Sequence, residues 1–142
     1  MPMRSKAVVL LIAALAFIGF ADATFLTVEH FRGGAVPCFI TTGCDTVTTS
    51  SYSLVLGIPV ALLGELFYLA VIVLALMDLD FKPRWLGRAL FILSTVAFIE
   101  SLYFLYLQAF VIHAFCIYCL ISLGVATLIF LCTVGGKFYR LQ

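Results

Sequence analysis

The residues with chemistry within reach are cysteines, at 38, 44, 116, 119 and 132. Cys116-Ile117-Tyr118-Cys119 stands at the head of an apolar run. On a helix from Phe115 to Val134 the two thiols are at i and i+3, so they share one face. A pair held that way can close into a disulfide and reopen, which is the chemistry of thiol redox enzymes. Cys116 would fall in the first turn, where unpaired backbone N–H groups and the helix dipole favour a thiolate. The plainer alternative is two buried thiols used as small hydrophobes.

A second pair lies earlier, in Pro37-Cys38 and Gly43-Cys44, within the polar stretch from Val28 to Leu54. A loop of that length is more than a connector. Cys38 and Cys44 can pair across the turn that Gly43 permits. The alternative is two unrelated exposed thiols, an oxidation liability. The five cysteines form no double Cys-x-x-Cys zinc array, so no metal ligand is assigned.

The elements that position these pairs follow from composition. The chain has 142 residues, 65% of them hydrophobic and 11% charged. A soluble domain of this size would leave much of that apolar surface exposed, so a membrane bundle is expected. A net charge of +1, with no basic stripe, gives no sign of nucleic acid as a partner. Met1 to Lys6 followed by apolar Ala7 to Phe20 and Ala21-Asp22-Ala23 reads in two ways. It is a signal peptide with a cleavage site, or a retained helix to about Thr27, long enough to span a bilayer. Three further spans are expected at about 57–77, 86–107 and 115–134. Pro59 suits the first turn of the second span, and Gly135-Gly136 stops the last. The expectation is all-α: one domain over 1–142, a transmembrane four-helix bundle with helices at about 7–27, 57–77, 86–107 and 115–134.

Seven of the eight basic residues lie in the two tails and the 78–88 turn, and only Arg32 lies in the opposite loops. This positive-inside bias makes both termini cytoplasmic. Cys38, Cys44, Cys116 and Cys119 then face the outer side, where disulfides persist. Cys132, about 24 Å further along its helix, lies near the inner face and reads as a passive core residue. The layout is that of a relay, with one pair on a loop and one on a helix. A relay needs a terminal acceptor, and the chain shows no flavin, nicotinamide or haem signature. A quinone, reached from within the bilayer, is the acceptor left by elimination.

Cys44-Asp-Thr-Val47, Ser50-Ser51-Tyr52 and Gly57-Ile58-Pro59-Val-Ala-Leu-Leu-Gly64 resemble the first half of the vitamin K epoxide reductase family. Tyr106-Leu-Gln108 and Phe115-Cys116-Ile-Tyr-Cys119-Leu-Ile-Ser122 resemble its second half, and the likeness runs from about Ala7 to Val134. The resemblance implies a four-helix membrane bundle, which favours retaining the first helix. It also implies a bacterial-type enzyme of the cell (inner) membrane that oxidises an extracytoplasmic thioredoxin-like dithiol protein and reduces a quinone. By position, Cys116 and Cys119 match the family's active-site pair and Cys38 and Cys44 its loop pair. Ser50 matches the serine that hydrogen-bonds the quinone, and Cys119 the sulfur that faces it. The implied order runs from the partner to Cys38, then from Cys44 to Cys116, with Cys119 released toward the quinone. Two features depart from the pattern. Ile117 stands where bacterial members often carry proline, and the sequence ends at Gln142 without the thioredoxin-like domain many members carry, so a separate partner protein is expected. The quinone can be ubiquinone, menaquinone or phylloquinone, and vitamin K quinone or epoxide reduction is the alternative physiological role.

Other polar residues read more plainly. Glu65 and Glu100 lie inside spans, as functional groups or as protonated carboxyls bonded between helices. His113 is a proton shuttle or an interfacial anchor, and Tyr118 packs away from the pair. Three rivals remain. The other quinone-linked disulfide-forming family places Cys-x-x-Cys in its first outer loop, unlike this chain. A metal-binding or metal-transporting protein would use the four outer thiolates for zinc or copper. A structural bundle would carry incidental disulfides.

Overall fold

The computed structural model describes residues 4–33, 43, 46–47, 49–80 and 84–140, with only the backbone given at 4, 5, 84 and 136–140. Helix α1 (Arg4–Arg32) is followed by a short 3₁₀ turn (Ser51–Ser53) and two short strands, β1 (Leu54–Val55) and β2 (Ile58–Pro59). Helices α2 (Val60–Asp80) and α3 (Arg84–Tyr106) come next; α3 runs on into a π-helical segment (Leu107–Ile112), and α4 (Ile117–Arg140) closes the chain.

Four segments are long and apolar enough to cross a membrane: Lys6–Arg32, Val60–Asp80, Trp85–Ile112 and Ile117–Gly135. Each leaves large apolar side chains on its outer face, among them Leu10, Leu66, Ile92 and Leu128. In water those side chains would be a liability, whereas in lipid they are the required surface. The chain is therefore a multi-pass membrane bundle, as its composition implied.

Helices in lipid gain little from the hydrophobic effect and associate through close packing and interhelical hydrogen bonds. Helix α1 meets that need with small residues. Ala13, Ala16 and Ala23 are buried against Tyr68, Val71, Ile72 and Ala75 of α2. Gly19 lies directly against the Tyr68 ring, so close that a Cβ there would overlap it. Helix α1 is thus the central packing element, in contact with both α2 and α4. Helix α4 binds α3 through a buried Ser94–Thr133 hydroxyl pair at 2.8 Å and the stacked Phe98 and Phe130 rings, 4.8 Å apart. The α2–α3 seam is the least extensive of these helix pairings.

The helix ends differ from the sequence expectation in instructive ways. Helix α1 runs five residues beyond Thr27, because no helix breaker occurs before Gly33. There the chain turns left-handed (φ 67°) and the Gly33 N–H reaches the His30 carbonyl at 3.3 Å. Helix α2 starts at Val60 rather than 57. Leu56 and Gly57, with φ of 53° and 81°, form the two-residue turn of a hairpin that pairs Leu54 with Pro59 and Val55 with Ile58. Helix α4 starts at Ile117, which moves Cys116 out of the first turn and onto the residue that caps it.

Candidate redox site

Cys116 owes its position to the break between the π segment and α4. The π segment ends at His113, whose left-handed φ of 58° reverses the chain. The N–H groups of His113 and Ala114 both point back to the Gln108 carbonyl, the latter at 3.1 Å. The Gln108 side chain completes the turn, its Oε1 accepting the Cys116 backbone N–H at 2.9 Å. Gln108 is only 1% exposed, so this bond satisfies polar groups that no water can reach. A wide π turn of this kind often marks a functional site.

From that position Cys116 caps α4. Its carbonyl accepts the Leu120 N–H at 3.1 Å, and its sulfur accepts the backbone N–H groups of Tyr118 and Cys119. Sulfur here takes the role that a serine or aspartate oxygen plays at an ordinary N-cap. The Cys119 S–H also donates to the Cys116 sulfur, and both thiols are free. That thiol hydrogen bond first, and the two backbone N–H groups with it, outweigh burial and lower the Cys116 thiol to a pKa of about 7. A helix N-terminus adds to the same preference. Cys116 is 0% exposed, enclosed by Leu26 and Val47 with Phe25, Ile112 and Tyr118 around them. The Tyr118 ring packs on Phe25 with centroids 5.0 Å apart, within the cluster around Cys116 rather than away from the pair.

Cys119 has a different outlook. It lines a mostly apolar cavity of about 130 Å³ that reaches all four helices. Gly64 and Phe67 of α2, Ala97 and Phe104 of α3, and Leu123 and Ala126 of α4 form much of its wall. Its polar groups are Asp22, His30, Tyr68, Glu100, Gln108 and the serines 53, 101 and 122. The Tyr68 hydroxyl lies 2.8 Å from the Ser122 hydroxyl and donates to the Ser122 carbonyl at 3.1 Å. Cys116 itself lies behind this wall, so within the pair only Cys119 faces the cavity.

The loop between α1 and α2 reaches the pair through Gly43. A Cβ at that position would stand 2.6 Å from the Phe115 nitrogen and 2.7 Å from its oxygen, so only glycine allows this approach. Among the described residues its role is close contact with the residue before Cys116. Val47, three residues past Cys44, closes over Cys116. Cys38 and Cys44 themselves lie outside the described residues.

Among the remaining expectations, Ser50 is placed away from the cavity. Its hydroxyl donates to the Val47 carbonyl at 2.7 Å, which commits its single hydrogen, so in this structure it has none to offer a quinone. Ser53, tied in turn to the Ser50 carbonyl, is the loop serine at the cavity wall. Glu100 lines the cavity, but Glu65 does not. His113 is exposed and shapes the turn through its backbone. Cys132 is half-buried against the main core, on α4 far from Cys116. Four wall or support residues escaped the sequence reading: Asp22, Tyr68, Gln108 and Ser122. Asp22 was legible as a carboxyl inside an apolar helix, had Ala21-Asp22-Ala23 not resembled a cleavage site. Gln108 gave no such signal, since its importance arises from a turn geometry.

A membrane bundle that places a thiol pair against an apolar cavity at the end of its helices is a membrane redox enzyme. Residues 10–134 match the vitamin K epoxide reductase family, and the chain belongs to it. Members of that family are oxidoreductases that use quinone-type substrates.

Proposed function

We propose that this protein is a thiol–disulfide oxidoreductase that oxidises an extracytoplasmic thioredoxin-like dithiol protein and transfers the electrons to a membrane quinone. The observation that carries this reading is the division of labour within the pair. Cys116 is a buried, thiolate-favouring sulfur on the loop side, and Cys119 faces the apolar cavity. The basic-residue bias supports placing the pair and the loop on the outer face of the cell membrane.

In the proposed sequence a partner thiolate attacks Cys38 of a Cys38–Cys44 disulfide, and Cys44 leaves as a thiolate. A second partner thiol resolves the mixed disulfide, which oxidises the partner. Cys44 attacks Cys116 of the Cys116–Cys119 disulfide and Cys119 is released; Cys38 then resolves the Cys44–Cys116 bond. The loop pair is again a disulfide and the helical pair holds two electrons. The quinone takes up those two electrons with two protons and leaves as the quinol, and the helical disulfide re-forms. A quinone ring suits the apolar cavity, and the thin α2–α3 seam supports access from the lipid. Ser50, by holding the Val47 carbonyl, supports the loop that encloses Cys116; a direct bond to quinone would require its hydroxyl to swing away.

Complete burial of Cys116 gives the loop pair its purpose, because a folded partner cannot reach that sulfur. A small dithiol has fewer barriers, since exchange depends on access as well as thiolate content. The test is anaerobic quinone reduction by the purified protein with two donors. The Cys38→Ala, Cys44→Ala double variant should reduce quinone with dithiothreitol and fail with a thioredoxin-like donor. Activity with both donors would remove the courier role, and absence of quinone reduction by the parent would remove the reading itself.

A further inference from the structure

Quinone reduction consumes two protons as well as two electrons. Above about pH 7, where Cys116 is a thiolate, the reduced pair brings both electrons but only the Cys119 proton. A second proton has to come from elsewhere, and an apolar cavity within a membrane offers little water to supply it.

Asp22 lies within the first span and lines the same cavity as Cys119. Its Oδ2 is buried and has no hydrogen-bond partner. An ionised carboxyl left unpaired in such a wall is costly, whereas a carboxylic acid is tolerated there. Its charge and those of the Cys116 and Cys119 sulfurs act directly on one another, which places the three groups in one electrostatic neighbourhood. The other titratable groups facing the cavity are His30 from α1, Tyr68 from α2 and Glu100 from α3. Tyr68 is engaged with Ser122, and Glu100, on the α3 wall of the cavity, is more exposed than Asp22. Asp22, Leu26 and His30 follow one face of α1 toward its exposed outer end, and all three line the cavity.

Building on the quinone-reductase reading, we propose that Asp22 is a catalytic proton donor, giving the proton on its buried carboxyl to one quinone oxygen. The step balances as follows. The Cys116 thiolate forms the S–S bond to Cys119, and the pair gives up two electrons. One quinone oxygen receives the Cys119 proton and the other the Asp22 proton. The quinol leaves, and the Asp22 carboxylate regains a proton from water through the His30 end of the cavity.

The test compares the parent with Asp22→Asn, Asp22→Glu and Glu65→Gln in two assays. One follows dithiothreitol-driven reduction of menadione and of a short-chain ubiquinone under anaerobic conditions. The other follows reduction of the Cys116–Cys119 disulfide by dithiothreitol with no quinone present. Asp22→Asn should slow quinone reduction about a hundredfold, the scale of one general acid, and leave thiol exchange at the parent rate. Asp22→Glu should restore most of the quinone rate, and Glu65→Gln, an intramembrane carboxyl that does not line the cavity, should behave as the parent. The parent rate should fall on the alkaline side of its pH profile, and the Asn variant should lack that fall. Asp22→Asn with the parent's rate and profile overturns the proposal while leaving the functional reading intact. Should Asp22→Asn disrupt both assays, Asp22→Glu decides: thiol exchange at the parent rate without recovery of quinone reduction overturns the proposal. A parent protein that reduces neither quinone overturns the functional reading and the proposal together.

Discussion

Cys116 and Cys119 are three residues apart and chemically identical, yet the fold gives them opposite roles. Cys116 receives two backbone N–H groups and a thiol hydrogen bond, all of which stabilise negative charge on its sulfur. Cys119 donates that thiol hydrogen bond and faces the cavity. Because hydrogen bonding lowers the Cys116 thiol, its thiolate is present above about pH 7 and is lost as the pH falls through that value. The ultraviolet absorbance of the thiolate in the reduced protein should follow that midpoint and disappear in Cys116→Ser. A midpoint at the ordinary thiol value would mean that the capping bonds do not survive in the membrane. Cys132→Ala, by contrast, should reduce quinone at the parent rate, since that thiol packs against the core remote from the pair.

At the scale of elements, two segments without regular α-helix carry the site. The π segment supplies Gln108, and removing its side chain would strand the Cys116 N–H in a dry interior. Gln108→Leu should therefore destabilise the protein by about 1–3 kcal/mol, the cost of an unsatisfied buried polar group, read as a loss of thermal stability in detergent. No change in stability would show that the Cys116 N–H finds another partner. The loop between α1 and α2 depends on Gly43 in a different manner. In Gly43→Ala the new Cβ would meet the Phe115 backbone, which has no flexible end to yield, so the loop must move outward. Electron transfer from a thioredoxin-like donor should drop sharply, while the dithiothreitol-driven rate holds. An equal fall with both donors would place the damage at Cys116 and Cys119 rather than at the loop.

The whole molecule joins a lipid-facing exterior to a redox site at the end of the bundle. Helix α1 is indispensable to this arrangement, since it packs on α2 and α4 and contributes Asp22 and Leu26 to the site region. Loss of α1 would expose Tyr68 and Val71, the buried centre of α2. The proposed orientation can be read with a membrane-impermeant thiol reagent applied to intact cells. Reduced Cys38 and Cys44 should be labelled from outside and Cys132 should not. Labelling confined to Cys132 would invert the topology and remove the oxidising compartment from the mechanism.

The sequence alone determined the number of spans and the membrane class, because hydropathy over about twenty residues is a local property that lipid reads directly. It also located the Cys116 and Cys119 pair, since a Cys-x-x-Cys at a helix start is defined by spacing. It could not determine which sulfur would be the thiolate or which would face the cavity. Those outcomes depend on helix α4 starting at Ile117 and on Gln108, eight residues upstream, turning back to the Cys116 N–H. Nor could it show that the Ser50 hydroxyl donates to the Val47 carbonyl, an acceptor that only the folded loop brings within reach. Asp22 shows the same limit from the other side. On a single helix it is an isolated carboxyl in apolar surroundings, and only the assembly of four helices places it on one wall with Cys119 and Tyr68. Local patterns fix which elements form; the shared cavity exists only where their faces meet, because no segment encodes its neighbours' side chains.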